Sequence, residues 1–257
     1  MTVTYDPEKQ SVELIADCPK GATGVKAYKD GKYFGPGYIV GDKISKTLGN
    51  ITMKETRTEH VYTFGLSALF GDIESEIATV EFVVPLVKPE VYIYGMQYLN
   101  VKCVGNVSKL SLRVDGEIKG NAPVDESGNG KLYAMGNISR QSVEVLVEGY
   151  GEDETKKVAW AEVVRQEPTM TLDPTIVGEN HISGSYSTYI ENLNVYVNGE
   201  LMKPDVKFNE DESKFSFVIP ANLSINDDVE VEGLSASNDV ITARYKVEIV
   251  SNLEIEK

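Results

Sequence analysis

Leu110-Ser111-Leu112-Arg113-Val114-Asp115-Gly116 and, further on, Leu193-Asn194-Val195-Tyr196-Val197-Asn198-Gly199 carry one pattern twice: three apolar residues spaced by two, an acid or amide, then glycine. Spacing by two puts the apolar residues on one face of a β-strand, because successive side chains of an extended chain point to opposite sides. Asp-Gly and Asn-Gly then suit a type I′ hairpin turn, in which both central residues need positive φ. A third copy, Val25-Lys26-Ala27-Tyr28-Lys29-Asp30-Gly31, lies near the start of the chain. The turn glycines are 85 and 83 residues apart, and a repeated turn at one period predicts three modules.

Alternation recurs elsewhere, in Ser11–Ala16, Tyr98–Val104, Val143–Gly149, Val229–Gly233 and Ala243–Val250, with Gly, Asn, Asp and Pro between the runs. No stretch has a helical stripe, so the expected fold is all-β, with three tandem immunoglobulin-like β-sandwich domains in an elongated rod. Gly65, Gly149 and Gly233, at intervals of 84 and 84, are expected to end a later strand in each module. In that frame Val61 and Thr63 match Val145 and Val147, then Val229 and Val231, as core pairs. Lys29 stands where Val114 and Val197 complete the apolar face, which predicts a bulge, a shifted register or an altered edge in the first module. Trp160 alternates with Val158 and is expected in the core. Pro85, Pro89 and Pro168 mark short, stiff junctions. The modules are therefore residues 1–86, divergent and expected to be a docking end, residues 87–167, and an acidic module of residues 168–257.

Composition bounds the function. Forty acidic against 25 basic residues give a net charge of −15, which argues against a nucleic-acid clamp. The charge divides as −3, −2 and −10 over the three modules. A nearly neutral first module suits packing, and an acidic third module is kept in solvent by self-repulsion. No apolar run approaches the roughly eighteen residues of a membrane helix, so no membrane partner is expected. The opening MTVTYDPEKQ lacks a charged and then apolar leader, and the closing SNLEIEK carries no wall anchor.

The segment from Ile182-Ser183-Gly184-Ser185-Tyr186 through LNVYVNGE and FSFVIPANLSINDDVEVEG resembles the bacterial immunoglobulin-like (Big-type) repeats of Gram-positive surface proteins. The second module, with LSLRVDGEIKG and GKLYAMGNISRQSVEVLVEGYGED, looks like the same repeat. The first matches at its Asp-Gly turn and at VYTFGLSALFGD, and otherwise by position. Phage virion proteins carry similar modules without an export signal. The resemblance therefore implies a non-enzymatic structural or host-contacting virion protein, a tail, baseplate or head-decoration part, of a phage of a Gram-positive bacterium. Its expected partners are other virion structural proteins and host cell-wall glycan. The alternative is an adhesive or spacer fragment of a secreted surface protein, placed outside the cell.

Chemistry-bearing motifs are sparse. Cys18 and Cys103, 85 residues apart, occupy one repeat position in two modules, so an antibody-type bridge within a module is excluded and both read as small apolar thiols. Asn50-Ile51-Thr52, Asn137-Ile138-Ser139 and Asn222-Leu223-Ser224 match the glycosylation sequon, as does Asn106-Val107-Ser108. The first three recur with the module, and they read as structural corners in which Ile51, Ile138 and Leu223 plug the core. Acidic clusters at Asp125-Glu126, Glu152-Asp153-Glu154, Asn209–Glu212 and Asn226–Asp228 lack calcium-loop spacing and read as solvated loops. His60 and His181 fall in different modules, and no nucleophile, metal or phosphate motif accompanies them, so no catalytic residue, metal or cofactor is expected. The candidate contact surface is aromatic: Tyr28, Tyr33, Phe34 and Tyr38 around Gly35-Pro36-Gly37, suited to protein docking or sugar stacking.

Overall fold

The three hairpins have the predicted backbone. Asp30, Asp115 and Asn198 take φ of 52°, 49° and 51°, and Gly31, Gly116 and Gly199 follow at 73°, 84° and 83°. The first residue of each turn also fastens the strand that follows across the sheet. Asp115 Oδ1 accepts the backbone N–H of Val143 and Glu144 at 2.7 and 2.8 Å, Asn198 Oδ1 accepts that of Asp228 at 2.9 Å, and Asp30 Oδ1 that of Thr63 at 3.2 Å. This computed structural model describes residues 1–51 and 61–251, so Thr52 and His60 lie outside the described residues.

Each hairpin sits in one sheet of a two-sheet sandwich. In the first, the order Thr2–Asp6, Ser11–Asp17, Lys43–Leu48, Tyr38–Val40 forms one sheet, and Lys32–Pro36, Gly24–Lys29, Val61–Phe70 the other, with Ile73–Glu74 and Ala78–Val83 both pairing on Val61–Phe70. The third repeats this as Met170–Leu172, His181–Tyr186, Lys214–Val218, Lys207–Asn209 and Glu200–Met202, Asn192–Val197, Val229–Leu234, Tyr245–Lys246. The second has Glu117–Pro123, Lys109–Val114, Val145–Tyr150, Lys157–Glu162, and, among the described residues, three strands opposite: Leu86–Pro89, Tyr98–Val104, Asn129–Tyr133. Short parallel pairs, Tyr92–Ile93 with Arg165–Gln166 and Thr175–Ile176 with Ile249–Val250, add to the second and third sandwiches. This is the immunoglobulin-like arrangement, all-β, with no helix among the described residues.

Strand register corrects part of the repeat frame. Leu112 pairs with Val147 and Val195 with Val231, but Ala27 pairs with Leu66, so the interval at this strand is 81 and then 84. Gly65 lies in the middle of its strand, and its match to Gly149 and Gly233 is a coincidence of spacing. The buried face of Val61–Phe70 is accordingly Tyr62, Phe64 and Leu66, not Val61 and Thr63. The glycine match sets this strand at an interval of 84 where the pairing gives 81, and an odd offset exchanges the two faces. A slip of one residue moves every side chain to the other face.

The bulge expected at Lys29 is present, as a register shift between Ala27 and Tyr28. The second hairpin has the same shift between Leu112 and Arg113, so it belongs to the hairpin and not to the lysine. Trp160 is on the outer face, 44% exposed, with Lys157 Nζ 5.0 Å from its ring. A second shift explains the reversal: Gly149 pairs with Ala159 and Tyr150 with Lys157, so Val158 is skipped and the alternation changes phase.

Ile51, Ile138 and Leu223 are buried, as the corner reading requires. Val12, Leu14, Phe64, Leu66 and their neighbours form one apolar core, whereas the cores of the second and third sandwiches join into a single cluster. Glycine makes that join possible: a Cβ on Gly95, at φ 96°, would stand 2.8 Å from Tyr189 Cβ and 3.2 Å from Ile241 Cδ1. Between the first two sandwiches the chain passes from Val84, buried in one core, to Val87, buried in the next. The accessible surface, 14958 Å², well exceeds the roughly 11,000 Å² of a compact monomer of this mass, as an elongated row of small sandwiches requires.

Candidate functional site: an exposed double edge on the first sandwich

Lys32–Pro36 borders one sheet of the first sandwich and Tyr38–Val40 borders the other. The chain changes sheets at Gly37, where a Cβ would lie 2.8 Å from both the Ser45 carbonyl oxygen and Val25 Cγ1. Gly35 supports the turn toward the crossing with φ 142°, a conformation side chains disfavour. Pro36, lacking an N–H, is tolerated because the strand is an edge.

Among the described residues, neither strand is covered by its own module. Tyr33, Phe34, Tyr38 and Val40 are 58%, 49%, 64% and 65% exposed, and Ile39 is also open. The matching edge strands of the other sandwiches each expose one large apolar residue, Ile118 and Leu201. Lys29 Nζ lies 5.9 Å from the Phe34 ring and Lys46 Nζ 5.8 Å from the Tyr38 ring, so the rings carry a cationic fringe. Lys46 is held in place by donating to the Pro36 carbonyl at 2.7 Å. The edge thus offers backbone groups that no described strand pairs, apolar rings and positive charge together, which suits a protein partner or a stacked ring.

Tyr28 is separated from this group. Its ring meets Tyr33 edge-on at 6.1 Å, but its hydroxyl donates to Glu74 Oε1 inside a polar cluster. Glu74 also accepts from Lys26 at 2.6 Å and from the Ser67 hydroxyl at 2.5 Å. The hydrogen bonds from Lys26, then Ser67, then Tyr28 hold the Glu74 carboxyl down at about 2.

The same device recurs, and the sequence reading missed it. Glu148 is almost fully buried on the outer face of the second sandwich, with Arg113 Nη2 at 3.0 Å, the Tyr150 hydroxyl at 2.9 Å and Lys157 Nζ at 3.5 Å. Glu232 in the third meets Asn194 at 2.9 Å, the Tyr196 hydroxyl at 2.7 Å and Arg244 at 3.3 Å. Burial alone would raise both carboxyls, but these donors outweigh it and hold both below the usual range. Ser67 occupies the place of Glu148 and Glu232, so in the first module the carboxylate arrives from the neighbouring strand. The available signal was Glu-Gly at 148–149 and 232–233, inside runs of valine.

Other sequence candidates have structural work. Asp125 Oδ1 accepts from Ser127 and Asn129, Asp153 Oδ1 from Thr155 and Lys156, and Asp227 Oδ2 from Ser224, so these acids close turns. Cys18 and Cys103 are free and half-buried against their cores, and burial pushes the Cys103 thiol up to about 11. His181 is exposed at the start of its strand, and no cluster of three or more His, Cys, Asp or Glu side chains that could hold a metal ion occurs among the described residues.

No family profile and no curated relative matches the chain. Among solved structures it is similar to the I9–I11 tandem of titin, at 14% identity over 97% of this chain and 99% of that one, TM-score 0.33. It is also similar to the central fibronectin-III array of RIM-binding protein, at 12% identity over 96% and 95%, TM-score 0.31. A third match is SGBP-B of the Bacteroides ovatus mixed-linkage glucan utilization locus, in complex with mixed-linkage heptasaccharide, at 15% identity and TM-score 0.27. It covers 93% of this chain, which spans 64% of that longer one.

Proposed function

We propose that this chain is a non-enzymatic structural and contact protein that docks through the double edge of its first sandwich and projects the other two. The observation that carries the reading is the concentration of Tyr33, Phe34, Tyr38, Ile39 and Val40 on two adjoining edge strands. Large exposed apolar patches on otherwise polar modules mark interaction sites. The charge distribution supports the same orientation, with −3 on the first module and −10 on the third. The resemblance to immunoglobulin-like virion modules extends the proposal to a phage particle of a Gram-positive host, with other virion proteins as the docking partners.

A Tyr33→Ala/Phe34→Ala variant tests it. The variant is expected to fold with an unchanged unfolding midpoint, because both rings are half open to solvent, and to be lost from purified particles by mass spectrometry. Normal incorporation would overturn the docking role, and absence of the unaltered chain from particles would overturn the virion assignment.

A further inference from the structure

Among the described residues, the second sandwich lacks the fourth strand that closes the corresponding sheet of the other two, and its outer face there carries an unusual set of side chains. Cross-strand register fixes their neighbours: Tyr98 opposes Tyr133, Asn100 opposes Lys131, Lys102 opposes Asn129, and Lys88 opposes Lys102. Glu90 joins the middle row, accepting from the Asn100 amide at 3.1 Å. The hairpin arm from Ala122 to Asp125 contributes one wall, and the resulting cleft has a volume of about 540 Å³.

Charge decides what this face is for. In a chain of net charge −15, Lys88, Lys102 and Lys131 are exposed together, and among the described residues none has a carboxylate within 4.0 Å. Lys109, Arg113, Lys119, Arg140 and Lys157 of the same module all hold ion pairs. Like charges directly opposite on adjacent strands are destabilising, and an anion laid across Lys88 and Lys102 relieves that repulsion. Asp125, the second acid of the cleft, has Oδ1 committed to Ser127 and Asn129 in its own turn.

The rest of the face is built for sugar. Tyr133 is 47% exposed and meets Tyr98 edge-on at 5.7 Å, with Lys131 Nζ 4.5 Å from the Tyr98 ring. An exposed tyrosine presents an apolar ring and a hydroxyl at its rim, and Asn100, Asn129 and Glu90 add interleaved donors and acceptors. At about 6.8 Å per two residues of strand, the three rows span about 14 Å, room for a short oligosaccharide. We propose that this face binds an anionic polysaccharide, its phosphate or carboxylate groups on Lys88, Lys102 and Lys131 and a sugar ring against Tyr133. The site stands on a different module from the docking edge and does not depend on the virion reading.

Titration calorimetry of the full chain tests it, with poly(glycerol phosphate) teichoic acid and polygalacturonate as the phosphate and carboxylate probes, and dextran and single-stranded DNA as comparisons. Binding of at least one anionic polysaccharide is expected, weakened at least tenfold in K102E/K131E and in Y133A, with K207E on the third module unchanged. The two anionic arms tell which group the lysines take. K102Q/K131Q replaces the glutamate pair if that pair disturbs the unfolding midpoint. Failure to bind either anionic probe, equal binding of dextran, equal binding of DNA, or indifference to the lysine variants would each overturn the assignment.

Discussion

Arg140 and Glu167 clasp the second and third sandwiches. Arg140 Nε donates to Glu167 Oε1 at 2.9 Å and its Nη1 to the Thr242 carbonyl at 2.7 Å, while the Ala243 N–H donates to Glu167 Oε2 at 2.8 Å. The pair therefore ties side chain to side chain and both to the backbone of a loop in the third sandwich. Beside it the apolar cores are continuous, whereas the first sandwich keeps a core of its own. Calorimetry is expected to show two unfolding transitions, one for the first sandwich and one shared by the other two. Arg140→Ala should lower the shared transition by about 1–2 kcal/mol and begin to split it, because it leaves Glu167 Oε1 and the Thr242 carbonyl without the donor Arg140 supplies. Three well-separated transitions in the unaltered chain would contradict the shared unit.

Turn chemistry yields a second expectation. Asp115 does two jobs, holding positive φ and accepting two N–H groups at the start of Val145–Tyr150. Asp115→Ala should cost about 1–2 kcal/mol through the orphaned N–H groups and the backbone strain. Asp115→Asn should cost much less, since Asn198 already fills this role in the third module. Denaturant unfolding of the two variants checks the ranking, and equal losses would refute the capping role.

How far the sequence was legible follows from which signals are local. The Asp-Gly and Asn-Gly turns need only two adjacent residues, and they located all three hairpins and the module count. The core plugs Ile51, Ile138 and Leu223 were legible because they recur with the module. Trp160 and the Val61/Thr63 pair were not, because a bulge at Val158 in the strand that carries Trp160, and a pairing three residues off the glycine spacing, set the phase, and neither leaves a local mark. On the candidate site, the crowding of aromatics around Gly35-Pro36-Gly37 was visible, but the diversion of Tyr28 to Glu74 was not. That contact joins residues 46 positions apart, across a strand pairing that sequence alone does not give.

Core substitutions should separate the two cooperative units. Ile138 and Leu223 are buried in the joined cluster and Ile51 in the first core. Each change to Ala should cost about 2–4 kcal/mol from lost transfer and the cavity left behind. Ile51→Ala should lower only the first transition, and Ile138→Ala or Leu223→Ala only the shared one. A Leu223→Ala effect on the first transition would show coupling across Val84–Val87.

Acid should dismantle the outer-face clusters. Glu74, Glu148 and Glu232 all have carboxyls held below the ordinary value near 4.3, so each stabilises the fold above that pH. The contribution is lost as pH falls through the folded-state value, because protonation then occurs more readily in the unfolded chain. For Glu74 that window runs from about 4.3 down to about 2, the Lys26, Ser67 and Tyr28 donors keeping it charged. Glu148→Gln, which removes the charge facing Arg113 and Lys157, should cost about 1–3 kcal/mol at neutral pH and less as the pH falls. Glu74→Gln should flatten the acid limb of the first transition alone, and Glu232→Gln that of the shared one. Unfolding midpoints measured from pH 2 to 7 decide it: a variant whose loss of stability is as large at pH 2 as at pH 7 was stabilised by packing and not by its charge.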